Sequence, residues 1–479
     1  MFYGRENELE ELNRRYFSSG FQFIPVYGRR RVGKTALIDE FIKDKTAIKF
    51  TAVKGSYNTN MRLLASIVLG VRNAPVMDLE DILEVMHSRF GERRYVFVID
   101  EYPYLVGSDE SVTGILNNFI ESHLDSEAFI ILSGSSMSVM KNQILGVKSP
   151  LYGRRTGQIR LSPFLFAEIW HFLPSYSDEE RLIVYGLVGG IPWYLGFFDD
   201  RKSLKDNIID NLINPFAALN KEATLLFAEE FESPVAYLDV ISSIAKGHNR
   251  VGEMAADAGL ETSRISALLK DLILLEIVEK IRPIDDPGSK RTIYRIKDHY
   301  LRSYYRFIYP GNVEVEKSRY EEAYDGIMKD MDTYLGHVFE DVCSEYVGRS
   351  YREVGTWWGT DSSRRTKEEI DIAALGEGRM VLCECKYRSE PVGKDVIETL
   401  VRRAGLVRSG LPKDLMVFSR SGYTEEAARE AESENVVLHT LEDVSKRCIV
   451  EARHTLRTYT IQRRGKLTST IGRSVGQMP

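Results

Sequence analysis

Short unbroken apolar runs alternate with helical spacing through the first third of the chain, the pattern of strands buried on both faces and joined by helices. The runs are Phe21 to Tyr27 (FQFIPVY), Tyr95 to Ile99 (YVFVI) and Ala128 to Leu132 (AFIIL), and the helical segment ALIDEFIK follows closely on the first. They predict an α/β unit with a parallel sheet. Leu182 to Phe198 (LIVYGLVGGIPWYLGFF) is uncharged over 17 positions, the lower limit for a membrane span. Its four glycines and Pro192 fit a buried helix broken by a turn better. From Ala236 to Pro310 the pattern becomes short helices (YLDVISSIAKG, VGEMAADAG, TSRISALLKDLILLEIVEKI) and a hairpin-like segment, RPIDDPGSKRTIYRI. Ile265, Leu268, Leu269 and Leu272 share one helical face, and the whole reads as a winged helix-turn-helix. Further on, Leu335, Val338, Phe339 and Val342 predict a helix over 334–346. Glu369 to Leu375 and Met380 to Lys386, around the turn Gly376-Glu-Gly378-Arg, predict a β-hairpin. Strand alternation puts Glu384 and Lys386 on one face, Cys383 and Cys385 on the other.

Composition narrows the class. At about 150 residues per domain, 479 residues suggest roughly three domains. With 43% apolar and 28% charged residues, wholesale disorder is excluded. The net charge of −6 excludes a uniformly basic coat, so any nucleic-acid surface must be a local patch. Four cysteines in so long a chain suggest a reducing compartment. After Glu451 the chain carries six Arg or Lys and no acid, a composition that usually means disorder but suits nonspecific phosphate contact.

The candidate chemistry begins at Gly28-Arg29-Arg30-Arg31-Val32-Gly33-Lys34-Thr35-Ala36, a G-x-x-x-x-G-K-T loop with a strand before it and a helix after. Gly28 and Gly33 let backbone N–H groups wrap a triphosphate, Lys34 would reach its β and γ phosphates, and Thr35 would hold Mg²⁺. So early a loop leaves no room for a secretory leader, and the expected location is cytoplasmic. The strand ending in Asp100-Glu101 supplies the expected partner: Asp100 for the metal, Glu101 to orient or deprotonate the attacking water. Ser133-Gly134-Ser135-Ser136, ending the third strand, could contact the γ phosphate or that water. Arg154 and Arg155 stand where a charge-stabilising arginine would act, in its own site or in a neighbour's, the latter implying a homo-oligomer; the alternative is a surface salt bridge.

In the carboxyl-terminal segment, Asp371 and Glu384 on neighbouring strands suit one Mg²⁺ or Mn²⁺, and Lys386 could position or activate a water for phosphodiester cleavage. Glu340 precedes them on the helix. Cys383 and Cys385 read as buried packing thiols. In the middle segment, 12 basic residues against 10 acidic give modest support for DNA binding, with Arg264, Lys270, Lys290 and Arg291 as phosphate contacts.

Residues 1 to about 300 resemble archaeal-type ATPases of the STAND branch of AAA-like phosphate-loop proteins. The likeness rests on Phe2-Tyr3-Gly4-Arg5-Glu6, the GRRRVGKT loop, VFVIDE, LSGSS, LYGRR and Gly190-Ile191-Pro192. It implies that Tyr3, Gly4, Arg5 and Pro192 lie close to the adenine of ATP. In such ATPases a winged helix packs on the nucleotide domain, so a structural or relay role for 236–310 stays open beside DNA binding. Residues 330 to 450 resemble the PD-(D/E)XK nucleases, with 12 residues between Asp371 and the Glu384-x-Lys386 motif. The proline of that family's name is replaced by Ile370. The alternative is a non-cutting, ATP-switched DNA-binding or signalling protein whose nuclease-like domain is a recognition module. The expected order is a phosphate-loop ATPase with helical lid at 1–235, a winged helix-turn-helix at 236–310, a restriction-endonuclease-like α/β domain at 311–452 and a basic tail at 453–479. ATP and Mg²⁺ are the expected cofactors and DNA the expected partner, with no membrane association.

Overall fold

The computed structural model describes residues 2–91, 93–286, 288, 291–310 and 319–445. The basic tail and Lys290 lie outside them. The chain divides into two compact units, Met1–Pro163 and Phe164–Pro479.

The first unit is built on five parallel strands: β1 (Gln22–Gly28), β2 (Ala47–Thr51), β3 (Tyr95–Asp100), β4 (Ala128–Gly134) and β5 (Ile159–Leu161), in the order β2-β3-β4-β1-β5. The three apolar runs are its central strands, and β3 and β4 are buried at every position. Helix α1 (Glu6–Tyr16) precedes β1, and α2 (Lys34–Ile42) begins inside the phosphate-loop motif, at Lys34.

In the second unit, α3 (Asp178–Val188) takes up the start of the uncharged stretch. Ser177 and Glu180 cap its first turn reciprocally. The helix must end at Gly189-Gly190: Gly189 has φ +65°, and a Cβ on Gly190 would lie 1.7 Å from the Phe164 carbonyl oxygen. No helix among the described residues is long and apolar enough to cross a membrane.

Helices α4 (Val235–Ala245), α5 (Val251–Ala258) and α6 (Thr262–Leu274) then lead into an antiparallel pair, β6 (Val278–Ile281) and β7 (Ile293–Ile296). Helix α7 (Tyr320–Val347) starts 14 residues before the predicted position. Its first half is mostly polar and buries only Ile327 and Met331, too sparse a stripe to read from sequence. A mixed sheet follows: β8 (Glu353–Asp361), β9 (Thr366–Leu375), β10 (Met380–Lys386), β11 (Lys413–Ser419) and β12 (Val436–Thr440), ordered β12-β11-β10-β9-β8. Helix α8 (Lys394–Leu406) packs on it through Ile397 and Leu400. The segment after β6 joins this sheet: Pro283 bridges to Thr356 on β8, Ile284 enters the sheet's core, and Trp357 Nε1 donates to Asp285 (2.7 Å).

Helix α7 is fastened at several points. Tyr334 Oη donates to the Gly186 carbonyl (2.6 Å), where a Cβ would press on Val338, Leu335 and Tyr334. Asp341 binds Arg302 (2.8 Å), Arg295 (3.0 Å) and His299 (3.0 Å). Burial works against its charge, but Arg302 and Arg295 outweigh it and hold the carboxyl well below the usual range. Glu345 accepts from Tyr185 Oη and from the Phe166 N–H.

Burial pushes Glu345 up to about 7, against an ordinary value near 4.5. Between these values the folded chain holds a proton that the unfolded chain has released, so stability falls as pH rises through this window, by about 3 kcal/mol in all. Glu345→Gln should flatten this part of the stability profile, measured as urea midpoints from pH 4.5 to 8.

Candidate functional site

The first candidate site forms where the carboxyl ends of β1, β3 and β4 meet the start of α2. Gly28 sits at φ +156°, Arg31 at +68° and Gly33 at +92°, so the loop needs left-handed backbone at several positions. Lys34 is buried and donates to the carbonyls of Gly28 and Arg29 (both 2.9 Å). Ala36 lies in the first turn of α2. Arg30 donates to the Tyr104 hydroxyl (3.0 Å). Arg5 is buried and donates to the carbonyls of Ser162 (2.6 Å) and Val32 (3.2 Å), tying the opening segment to the loop and to the end of β5. Gly4 takes φ +67°, and Tyr3 beside it is half-buried.

Thr35 Oγ1 donates to Asp100 Oδ2 (2.9 Å), while the Glu101 N–H donates to Oδ1 (3.1 Å). Lys49, on β2, stands 3.9 Å from the same carboxylate and pairs with Asp39 at 2.5 Å. Glu101 adopts φ +53°, a conformation costly for a residue with a Cβ, and its carboxylate accepts from Ser135 Oγ (2.9 and 3.0 Å). The structure thus brings Lys34, Thr35, Asp100 and Glu101 together. A hydroxyl and a carboxylate in contact at the loop's end are the donor set Mg²⁺ takes beside a triphosphate, so these residues fit the ion. Arg154 instead binds Asn117 (3.2 Å) and Glu121. Pro192 opens the short helix Pro192–Leu195 of the second unit. Sequence reasoning missed Lys49; its only signal is a lysine inside a half-buried strand.

The second candidate site lies in the mixed sheet. Gly355 faces Ala373 and Trp357 faces Ile370, so two steps along β8 match three along β9. The extra residue falls at Asp371-Ile372, a bulge that re-aims Asp371. Its Oδ2 accepts from the Cys385 N–H (2.8 Å) and is 3.9 Å from Lys386 Nζ. Glu384, 5% exposed, binds Lys386 (2.7 Å) and both arms of its carboxylate accept from Arg403 (3.0 and 3.1 Å). Burial, with Glu384 and Glu340 nearby, pushes Asp371 up to about 7 although Lys386 pulls the other way. Burial also opposes the Lys386 ammonium, but Glu384 and Asp371 outweigh it and raise its pKa. Glu340 is half-buried on α7, 3.5 Å from His337. Cys343, Cys383 and Cys385 are buried free thiols, as expected for the last two. Among the described residues no three His, Cys, Asp or Glu side chains gather tightly enough to cage a metal. A divalent ion here would rest on Asp371 and Glu384 with waters, a coordination Mg²⁺ accepts. Arg403, on α8, was not foreseen: its position next to the buried face of α8 is visible in sequence, its partner is not.

Comparison with known proteins places residues 2–198 in a family described as an ATPase domain predominantly from Archaea. Residues 304–397 match a family described as archaeal and bacterial proteins of unknown function. An uncharacterized protein of Methanocaldococcus jannaschii is 30% identical over 424 residues, 85% of this chain and 92% of that protein. Among solved structures, the Walker-type ATPase of Pyrococcus abyssi is 19% identical with a TM-score of 0.49, covering 64% of this chain and 96% of that one. The ORC2 protein of Aeropyrum pernix, in ADPNP and ADP complexes, is 14% identical with a TM-score of 0.44, covering 66% and 95%.

A Cβ on Gly28 would lie 2.2 Å from the backbone oxygen of Leu161, which cannot give way as a side chain could. Gly28→Ala should therefore displace the loop and weaken ATP binding at least tenfold, read by titration with a fluorescent ATP analogue.

Proposed function

Because the chain belongs to the family of its M. jannaschii relative and carries an archaeal ATPase domain, we propose that its ATP turnover governs DNA binding and metal-dependent phosphodiester cleavage. The observation that carries the cleavage half is the placement of Asp371 and Glu384 side by side, with Lys386 reaching both and Glu340 close by. These residues fit a restriction-endonuclease-like site of the PD-(D/E)XK kind. Asp371 and Glu384 would hold Mg²⁺ or Mn²⁺, which supplies charge stabilisation to the phosphodiester when bound. Lys386 would orient a water or hold the proton it loses.

In the ATPase half, Lys34 and the loop N–H groups would bind the phosphates, Thr35 and Asp100 the Mg²⁺, and Glu101 would orient the attacking water. Tyr3, Gly4 and Arg5 would border the adenine. Arg154 would act only after leaving Glu121, in its own site or across a subunit boundary in a homo-oligomer. Three helices followed by the β6–β7 pair support a winged helix-turn-helix, with Arg264 and Lys270 exposed on α6 for phosphate contact. Arg291 stands 3.8 Å from Asp286. The assignment of 1–235, 236–310 and 311–452 as separate functional regions, and a cytoplasmic location, belong to the same reading.

A second reading has its own support. Lys386 and Arg403 already neutralise Glu384, an arrangement that suits a nuclease-like domain recognising DNA without cutting it. The two separate in one experiment. With Mg²⁺ or Mn²⁺ and several DNA forms, the first expects cleavage that Asp371→Ala and Glu384→Ala abolish while ATP hydrolysis persists. Lys34→Ala should lower ATP hydrolysis by at least a hundredfold. DNA binding with no cleavage of any form by the wild-type protein leaves the second reading standing. ATP hydrolysis untouched by Lys34→Ala overturns the site assignment in the ATPase half.

A further inference from the structure

β9 pairs with β10 only from Ile372 to Leu375, yet its pairing with β8 continues to Thr366. The β8–β9 hairpin therefore projects beyond the paired part of the sheet, past Asp371. Its turn is held firmly. Asp361 accepts from the Ser363 N–H (3.0 Å), Ser363 Oγ (2.6 Å) and the Arg364 N–H (3.2 Å), and Arg402 binds its other oxygen (3.0 Å). Arg402 and Arg403 also grip Glu368 (3.0 and 2.9 Å). The acids at the turn end of the hairpin, Asp361 and Glu368, are thus neutralised from α8.

The cations at the same end are not engaged in this way. Arg364, Arg365 and Lys367 are exposed, and none of their charged side-chain ends has a carboxylate partner among the described residues. Glu369, the next acid along β9, is repelled by Glu340 and Glu384 and attracted by Arg403 and His337. The result is a local cationic point on a chain of net charge −6, braced against movement. Asp371 lies five residues from Thr366 on the same strand, about 16 Å at about 3.3 Å per residue.

The geometry points to this hairpin tip as a contact for the phosphate backbone of duplex DNA, made by Arg364, Arg365 and Lys367 beside the Asp371–Glu384 site. This rests on the DNA reading above and adds the surface that meets the duplex. A rigid cationic tip next to a phosphodiester site holds the backbone in place without reading sequence.

The test uses the full chain, a fluorescein-labelled linear duplex and anisotropy titrations at several NaCl concentrations in EDTA. The triple variant Arg364→Ser, Arg365→Asn, Lys367→Ser keeps a residue that tolerates the positive φ of Arg365 (+55°). Its binding should be at least tenfold weaker, and the slope of log Kd against log salt should fall by about 2 to 3. The pair Arg364→Lys, Arg365→Lys should keep both near the parent's. Unchanged affinity and slope in the triple variant, or a lysine pair as weak as the triple, overturns the hairpin contact alone. Parent protein that binds no duplex, or binds single-stranded RNA far better, overturns the DNA reading with it. Matching melting temperatures for all variants establish that folding is unaffected.

Discussion

A carboxylate taken out of water must find positive charge or hydrogen-bond donors, because its desolvation costs several kcal/mol that only good partners offset. Two buried acids and one half-buried acid organise this chain under that constraint. Asp100, 2% exposed, is held by Thr35 and the Glu101 N–H with Lys49 nearby, which fixes β3 against α2 and β2 at the nucleotide loop. Asp341 gathers Arg295, Arg302 and His299, and so fastens β7 and the short helix His299–Ser303 to α7. Glu384 takes Arg403 and Lys386, and so fixes α8 over the β9–β10 hairpin. In each case the groups that make burial tolerable come from different elements, so satisfying one charge also sets the positions of several segments.

The same constraint explains what could be read from sequence. The phosphate loop was legible because its chemistry is contiguous: Gly28, Gly33, Lys34 and Thr35 occupy eight positions, and an apolar run before them and a helical pattern after them supply the context. Asp371, Glu384 and Lys386 were legible because a short hairpin brings them together at a fixed spacing. The parallel sheet of the first unit follows from its apolar runs. Hidden were the partners that arrive from afar. Arg5 reaches Val32 and Ser162, Lys49 reaches Asp100 from an edge strand, and Arg403 meets Glu384 across a helix–sheet contact. No local pattern encodes such pairings. The bulge at Asp371 was hidden too, since alternation assumes an unbroken register.

Helix α7 shows how one element serves both packing and chemistry. Its apolar face meets α3 at Gly186, its Asp341 and Glu345 engage the helical part of the unit, and Glu340 stands among the acids of the second site. Polar residues at successive turns are thereby committed to different neighbours. The first half, bearing little apolar signal, is held instead by ion pairs of Glu321 with Lys205, Asp330 with Arg306 and Asp332 with Arg420.

The strand-like segment Pro283–Asp285 lies along β8, the outermost strand of the mixed sheet, and supplies Ile284 and the Asp285 partner of Trp357. An excised fragment beginning at residue 311 would lose that cover. It would leave a bare strand edge and an unsatisfied indole, features that invite self-association and insolubility. For recombinant work the carboxyl-terminal half is therefore best cut upstream of β6, and in lineages that shuffle modules these two stretches should travel as one cassette.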